Sequence, residues 1–170
     1  SSFTMYESGD TATENAILAA VLLPGKTKIN LASSNYMVQD LCYFLARTGA
    51  KIKGIGTTKL EITGVKKLKP ISYPIMPDPI ESMAFISIAI TTASKLKITA
   101  CPLEFLSLEL EKLRVMGQTI KISKIYKSAN RQFDLVDIEI MPAKLKALPD
   151  KIYGRPFPGL NIDNLPLFLP

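Results

Sequence analysis

One arrangement of signals occurs twice along this chain, and it limits the fold more than any single motif. Laid over Pro79 to Ile120, the segment Thr13 to Ile52 shows the same order: a capped apolar helix, a short strand, a second helix, a glycine and then further strands. The offset is about 68 residues, the spacing expected of a duplicated supersecondary unit. A chain of 170 residues with 47% hydrophobic content can bury a core in each copy.

The helix starts are signalled separately in the two copies. Thr11-Ala12-Thr13-Glu14 has the form of a capping box, with the Thr11 hydroxyl expected to serve a free backbone N–H and Glu14 to reach back to the cap. Asp78-Pro79-Ile80-Glu81 repeats the pattern, with proline at the first helical position, where its missing donor costs nothing. The helices that follow, Asn15 to Leu23 and Ser82 to Ile90, are apolar on nearly every side, so central burial is expected.

Alternating segments Thr27 to Leu31 and Lys95 to Thr99 read as strands with one wet face. A second, amphipathic helix follows in each copy. Met37, Leu41, Phe44 and Leu45 form one stripe, Leu106, Leu110 and Leu113 the other, and Gly49 and Gly117 stand at the left-handed C-terminal position. Lys51 to Lys53, Lys59 to Thr63, Thr119 to Ser123 and Phe133 to Ile138 add two strands per copy. The unit is therefore βαβαββ, an α/β (α+β) arrangement. The expected division is residues 1–68, residues 69–147, and a segment 148–170 leading onward.

Several chemistries are disfavoured. The chain contains no histidine, which removes the commonest general base and the commonest transition-metal ligand. Its two cysteines, Cys42 and Cys101, lie in apolar segments and read as core residues of a reducing compartment. The longest apolar run, Ala16 to Leu23, is too short to span a bilayer, so no membrane association is expected. Lys and Arg exceed Asp and Glu by 21 to 15, and the net charge of +6 favours anionic partners without choosing among them. The glycine-rich segment Gly54 to Lys59 lies between two strands rather than before a helix, so it reads as a hairpin turn and not as a phosphate cradle.

The tail Pro156-Phe157-Pro158-Gly159-Leu160-Asn161-Ile162-Asp163-Asn164 resembles the Pro-aromatic-Pro-Gly-x-x-x-Asp segment of UDP-N-acetylglucosamine enolpyruvyl transferases. Thr13-Glu14-Asn15, Gly49-Ala50-Lys51-Ile52 and Pro77-Asp78-x-Ile80-Glu81 extend the likeness over nearly the whole chain. The resemblance implies an inside-out α/β barrel, in which six βαβαββ units form two domains with substrates between them. This chain would hold the last unit of the first domain and the first unit of the second.

The implied reaction moves the enolpyruvyl group of phosphoenolpyruvate to the 3-hydroxyl of UDP-N-acetylglucosamine in peptidoglycan synthesis. It proceeds in the cytoplasm through a tetrahedral intermediate, and no cofactor and no metal are implied. By motif position, Asp163 corresponds to the carboxylate proposed as general base toward that hydroxyl, with Ile162 beside it as a substrate contact. Ser8, Gly9, Asp10, Thr11 and Thr13 fall where the family touches the uridine diphosphate. Here the family's Ser-Val-Gly reads Ser8-Gly9-Asp10, so Asp10 has to point away from a diphosphate. Pro79 stands where Arg is common. The family's reactive-cysteine loop and its early Lys-Asn segment belong to preceding units, so the expected partners include the remaining units of the same chain, and the fragment is expected to be inactive alone.

Two alternatives belong to different classes or substrates. A βαβαββ unit with excess positive charge could serve as an RNA-binding module. Against it, Arg47, Arg114, Arg131 and Arg155 are the only arginines and no aromatic RNP-type strand is evident, so no nucleic acid is the expectation. The other alternative is a shikimate-pathway enolpyruvyl transferase of the same fold.

Overall fold

The computed structural model describes residues 1–168 and divides into two compact units. The first comprises Ser1–Pro74 with Pro156–Pro158, the second Ile75–Arg155 with Gly159 onward. Residues beyond the expected boundary at 68 stay with the first unit for identifiable reasons. Lys69 N donates to Thr48 O at 2.8 Å, and the Tyr73 hydroxyl donates to Asp40 Oδ1 at 2.7 Å. The Tyr73 ring meets Phe44 edge-on, with the Arg47 guanidinium 5.7 Å from its centroid.

In the first unit the elements run β1 (Ser2–Thr4), α1 (Asp10–Ala20), β2 (Lys26–Asn30), α2 (Tyr36–Thr48), β3 (Lys51–Lys53) and β4 (Lys59–Thr63). This is the expected βαβαββ order. The sheet order is β1-β2-β4-β3, parallel between β1 and β2 and antiparallel elsewhere. Alternation along β2 and β4 turns Ile29, Leu60 and Ile62 toward Ile17, Val38, Cys42 and Leu45 in one core, and leaves Lys28 and Lys59 wet. The α2 stripe is rotated slightly from the expected one: Val38, Cys42 and Leu45 are buried, while Leu41 and Phe44 pack at its border.

Gly49 ends α2 at φ 110°, a conformation open to glycine without a Cβ penalty. Thr57 N donates to Gly54 O at 3.0 Å, so the glycine-rich segment is the turn between β3 and β4.

The second unit runs α3 (Pro79–Thr91), β5 (Leu96–Pro102), a 3₁₀ turn at Leu103–Phe105, α4 (Ser107–Val115), β6 (Ile120–Ile122), β7 (Tyr126–Lys127), β8 (Asp134–Ile140) and a 3₁₀ segment Ile162–Phe168. β8 is paired by β5, β6 and the short β7, all antiparallel. Among the described residues this copy lacks the leading strand of the first. Pro70, Pro74 and Pro77 interrupt the stretch before α3, and each removes a ladder donor. A bulge between Ile98 and Cys101 places Ala100 at φ 58°, and its N–H donates to the Tyr126 hydroxyl at 2.9 Å. The core joins Met83, Ile86, Leu106, Leu110, Ile138, Ile140 and Leu160.

Two expectations are corrected. The α1 cap is Gly9, not Thr11, and it has no side-chain cap bond; the helix starts at Asp10, so Thr11 is already inside the first turn. The apolar helices are buried along one stripe only. Ile17, Ala20, Met83, Ile86 and Ala89 are buried, whereas Leu18, Leu22, Phe85 and Ile88 are about half exposed, because each sheet covers a single helix face. At α3 the expected cap holds, with Ile80 N donating to Asp78 Oδ1 at 2.8 Å.

Candidate functional site

The first unit gathers Ser8, Gly9, Asp10, Thr11 and Thr13 at the start of α1, against the Ala32–Asn35 loop that leads from β2 into α2. Leu31, at φ 57°, turns the chain into that loop, and Ala32 N donates to Thr58 O at 3.0 Å. Thr13 is fully buried: its hydroxyl donates to Gly9 O at 2.7 Å and accepts from Ser33 N at 3.0 Å. The Ser8 hydroxyl donates to Ala32 O at 3.3 Å.

Asp10 is turned toward this loop. Its Oδ1 accepts a short hydrogen bond from the Ser33 hydroxyl, and its Oδ2 accepts from Asn35 Nδ2 at 2.8 Å. Asn35 in turn caps α2, accepting from Tyr36 N at 2.9 Å. Burial, and then the negative charge of Asp10, push the Glu14 carboxyl above the usual range. Thr11 is exposed on the first turn, where helix N–H groups are free of intrahelical partners.

Ile162 and Asp163 lie in the second unit, in the first turn of the 3₁₀ segment. Both are exposed, Ile162 at 66%. Asp163 N donates to Asn161 Oδ1 at 2.9 Å, while among the described residues the Asp163 carboxylate makes no hydrogen bond or ion pair. The neighbours of this turn point inward: Leu160 is 1% and Asn164 0% exposed. Glu109 on α4, itself buried, accepts at Oε1 from Asn164 Nδ2 at 3.0 Å and from Asn161 N at 3.4 Å.

Sequence reasoning missed Ser33, Asn35, Glu109, Asn161 and Asn164 as the hydrogen-bond partners that hold the candidate residues and their turns. For Glu109 a signal was available, since an acid three positions after Leu106 falls on the apolar stripe of its helix and requires a buried partner. The cysteines conform to the core reading. Burial pushes the Cys42 thiol up to about 12, and Cys101 is also raised, by burial first, so neither is poised as a thiolate nucleophile.

A βαβαββ unit, followed by a second copy of its αβαββ part, defines the inside-out α/β fold of enolpyruvyl transferases, and a superposition agrees. The enolpyruvyl transferase NikO from Streptomyces tendae matches with a TM-score of 0.78 at 19% identity, over 98% of this chain and 40% of that one. At such identity the likeness establishes the fold.

The sequence narrows the class. The chain belongs to the EPSP synthase (3-phosphoshikimate 1-carboxyvinyltransferase) family, whose model matches residues 2–154. A UDP-N-acetylglucosamine 1-carboxyvinyltransferase from Treponema denticola is 50% identical over 93 residues, which are 55% of this chain and 22% of that protein. One from Parasynechococcus marenigrum is 37% identical over 153 residues, 89% of this chain and 32% of its own length. The chain thus spans a third or less of these two curated relatives. Among the described residues no helix is long and apolar enough to cross a membrane.

Proposed function

We propose that this chain is part of an enolpyruvyl transferase that moves the enolpyruvyl group of phosphoenolpyruvate to the 3-hydroxyl of UDP-N-acetylglucosamine, a cytoplasmic step of peptidoglycan synthesis. The observation that carries the reading is the match of 153 residues to a relative named for that sugar nucleotide. In this reading Asp163 takes the proton of the 3-hydroxyl as its oxygen bonds to the central carbon of phosphoenolpyruvate. The electron pair of the C=C bond goes to the methylene carbon, which takes a proton from an acid supplied by the rest of the protein and becomes a methyl group. Phosphate then leaves the tetrahedral adduct as the methyl group returns a proton to a base, and the enol double bond is restored. An exposed carboxylate on a turn held by its own N–H suits that task, since it is accessible yet anchored.

At the start of α1, the backbone N–H groups of the first turn, with Ser8, Gly9 and Thr11 beside them, receive the uridine diphosphate. The negative group in this segment, Asp10, is satisfied by Ser33 and Asn35, which supports an anion approaching from the other side. Ile162 supplies apolar contact next to Asp163. The remaining units of the site come from the rest of a longer protein, so the chain alone is expected to be inactive. Neither nucleic acid nor membrane enters this reading.

The test is phosphate release from phosphoenolpyruvate by the complete protein that carries this segment. Release that depends on UDP-N-acetylglucosamine is expected, and Asp163→Asn should lower it on the order of a hundredfold while sugar-nucleotide binding persists. Dependence on shikimate 3-phosphate instead would establish the second reading, which the description of the family model favours. Release that needs neither acceptor would remove both.

A further inference from the structure

The turn that presents Asp163 is fixed from both sides, and the two fixings converge on one side chain. Upstream, Arg155 N donates to Leu160 O at 2.8 Å, closing a loop that sinks Leu160 into the core. Gly154 lies so near Ile162 that a Cβ added there would stand 3.0 Å from its Cα. Downstream, Asn164 is fully buried and donates Nδ2 to Glu109 Oε1 at 3.0 Å. Its own Oδ1 is buried without a hydrogen-bond partner, so the amide is held from the Glu109 side. The same Oε1 lies 3.4 Å from Asn161 N, and Asn161 Oδ1 accepts from Asp163 N at 2.9 Å.

Stability alone gives no reason for a carboxylate at this place. Glu109 is 3% exposed on a helix face shared with Leu106, Leu110 and Leu113. A leucine there would avoid the desolvation that a buried charge suffers, and buried ionic groups are often no better than an apolar replacement. What Glu109 alone supplies is a fixed acceptor for the two asparagines that bracket Ile162 and Asp163.

We infer that Glu109 is a positioning residue for Asp163: its Oε1 anchors Asn161 and Asn164, and so sets where the Asp163 carboxylate stands. The inference rests on the enolpyruvyl-transfer reading given above. Because both hydrogen bonds end on one oxygen, a glutamine, which keeps one carbonyl oxygen, can replace Glu109, whereas alanine cannot. Displacing a reacting group by about 1 Å can cost on the order of a hundredfold in rate.

Two measurements test this. In the 170-residue chain, Glu109→Ala should speed hydrogen exchange at the Asn161 and Asp163 amides about tenfold or more, while the Ile138 amide in the central strand stays protected; Glu109→Gln should restore protection. In the complete protein, Glu109→Ala should lower kcat about tenfold to a hundredfold with a smaller change in KM for UDP-N-acetylglucosamine, and Glu109→Gln should recover most of it. A purely structural Glu109 would lower Tm yet leave kcat intact well below Tm, which overturns the inference, as does unchanged exchange at Asn161 and Asp163. If Glu109→Ala also exposes Ile138, Asn161→Ala replaces it, removing the acceptor for Asp163 N from a partly exposed site; an unchanged kcat there is equally decisive against. A wild-type protein without acceptor-dependent phosphate release defeats the enolpyruvyl-transfer reading and this inference with it, whereas an active wild type with an indifferent alanine variant defeats the inference alone.

Discussion

Asn35 Nδ2 donates to Asp10 Oδ2 at 2.8 Å, joining the first residue of α1 to the cap of α2. With the Ser33 hydroxyl on Oδ1, both carboxylate oxygens of Asp10 are committed within the unit. An acid at the first turn also sits favourably in the helix dipole. The negative charge that looked hostile to the proposed anion site is thus engaged by the loop between β2 and α2.

Asp10→Ala should therefore destabilise the chain by about 1–3 kcal/mol, the usual cost of leaving partly buried polar partners without their charged acceptor. Asp10→Asn, which keeps one carbonyl oxygen, should cost less. Urea midpoints give the comparison; equal midpoints for wild type and the alanine variant would show that the Asp10 bonds add nothing to stability. Asp10→Asn should also let the Glu14 carboxyl fall only part of the way toward its ordinary value, because burial, the larger cause of its shift, remains.

Much of this architecture was legible because it depends on local rules. The period of two in Lys59–Thr63 and Lys51–Lys53 gave those strands to the residue, and Gly49 and Asp78 marked helix ends through chemistry that few other residues provide. What stayed hidden depends on tertiary partners. β7 has only two residues, β1 is exposed along its length and is marked as a strand by its parallel pairing with β2, Asp10 reads as a helix-start acid until Ser33 and Asn35 are placed beside it, and Glu109 is explained only by residues more than fifty positions away. Central burial of α1 was overestimated because apolar composition cannot say how many faces will be covered.

That correction yields a sharp comparison on adjacent residues. Ile17 is 0% and Leu18 48% exposed, so Ile17→Asp buries an unpaired charge while Leu18→Asp leaves one in water. Ile17→Asp should cost several-fold more, about 3 kcal/mol or above, and Leu18→Asp about 1 kcal/mol or less. Matching losses of Tm in the 170-residue chain would mean that the outer face of α1 is covered after all.

Acid and alkali should act through the outer face of the second sheet. Lys97 Nζ lies 2.8 Å from Asp137 Oδ2 and the Tyr126 hydroxyl donates to Asp137 Oδ1 at 2.8 Å; these bonds, the lysine's first, hold the Asp137 carboxyl below its ordinary 3.8. Lys95 likewise holds Glu139 below 4.5. A depressed carboxyl stabilises the fold above its unfolded value, and this is lost as pH falls through the lowered folded value. Lys97 is raised above 10.5 by Asp137, so its share persists below that pH and disappears as pH climbs through the raised value. Lys97→Met should flatten both limbs of a Tm-against-pH curve, and since the lysines are exposed and the carboxylates only partly covered the change should shrink in high salt. Limbs as steep in the variant as in wild type would exclude the pair from the pH response.

The tightest backbone approach in the first unit makes the last prediction. Gly64 follows β4 and donates its N–H to Gly25 O at 2.9 Å, which ties the strand end to the turn between α1 and β2. At this position a Cβ would lie 1.6 Å from Leu23 O and 2.6 Å from Leu23 C, backbone atoms that cannot rotate aside. Gly64→Ala must therefore push the two segments apart, breaking the bond to Gly25 and straining the neighbouring one from Val65 N to Val21 O. Gly25, by contrast, has nothing within 4 Å of an added Cβ and is constrained only by its φ of 93°. Gly25→Ala should cost about 1 kcal/mol, the usual penalty of a left-handed conformation for a side-chain-bearing residue, whereas Gly64→Ala should cost appreciably more. Thermal denaturation of the two variants side by side separates steric exclusion from backbone strain. A smaller loss at Gly64 than at Gly25 would show that the α1–β2 turn gives way without cost.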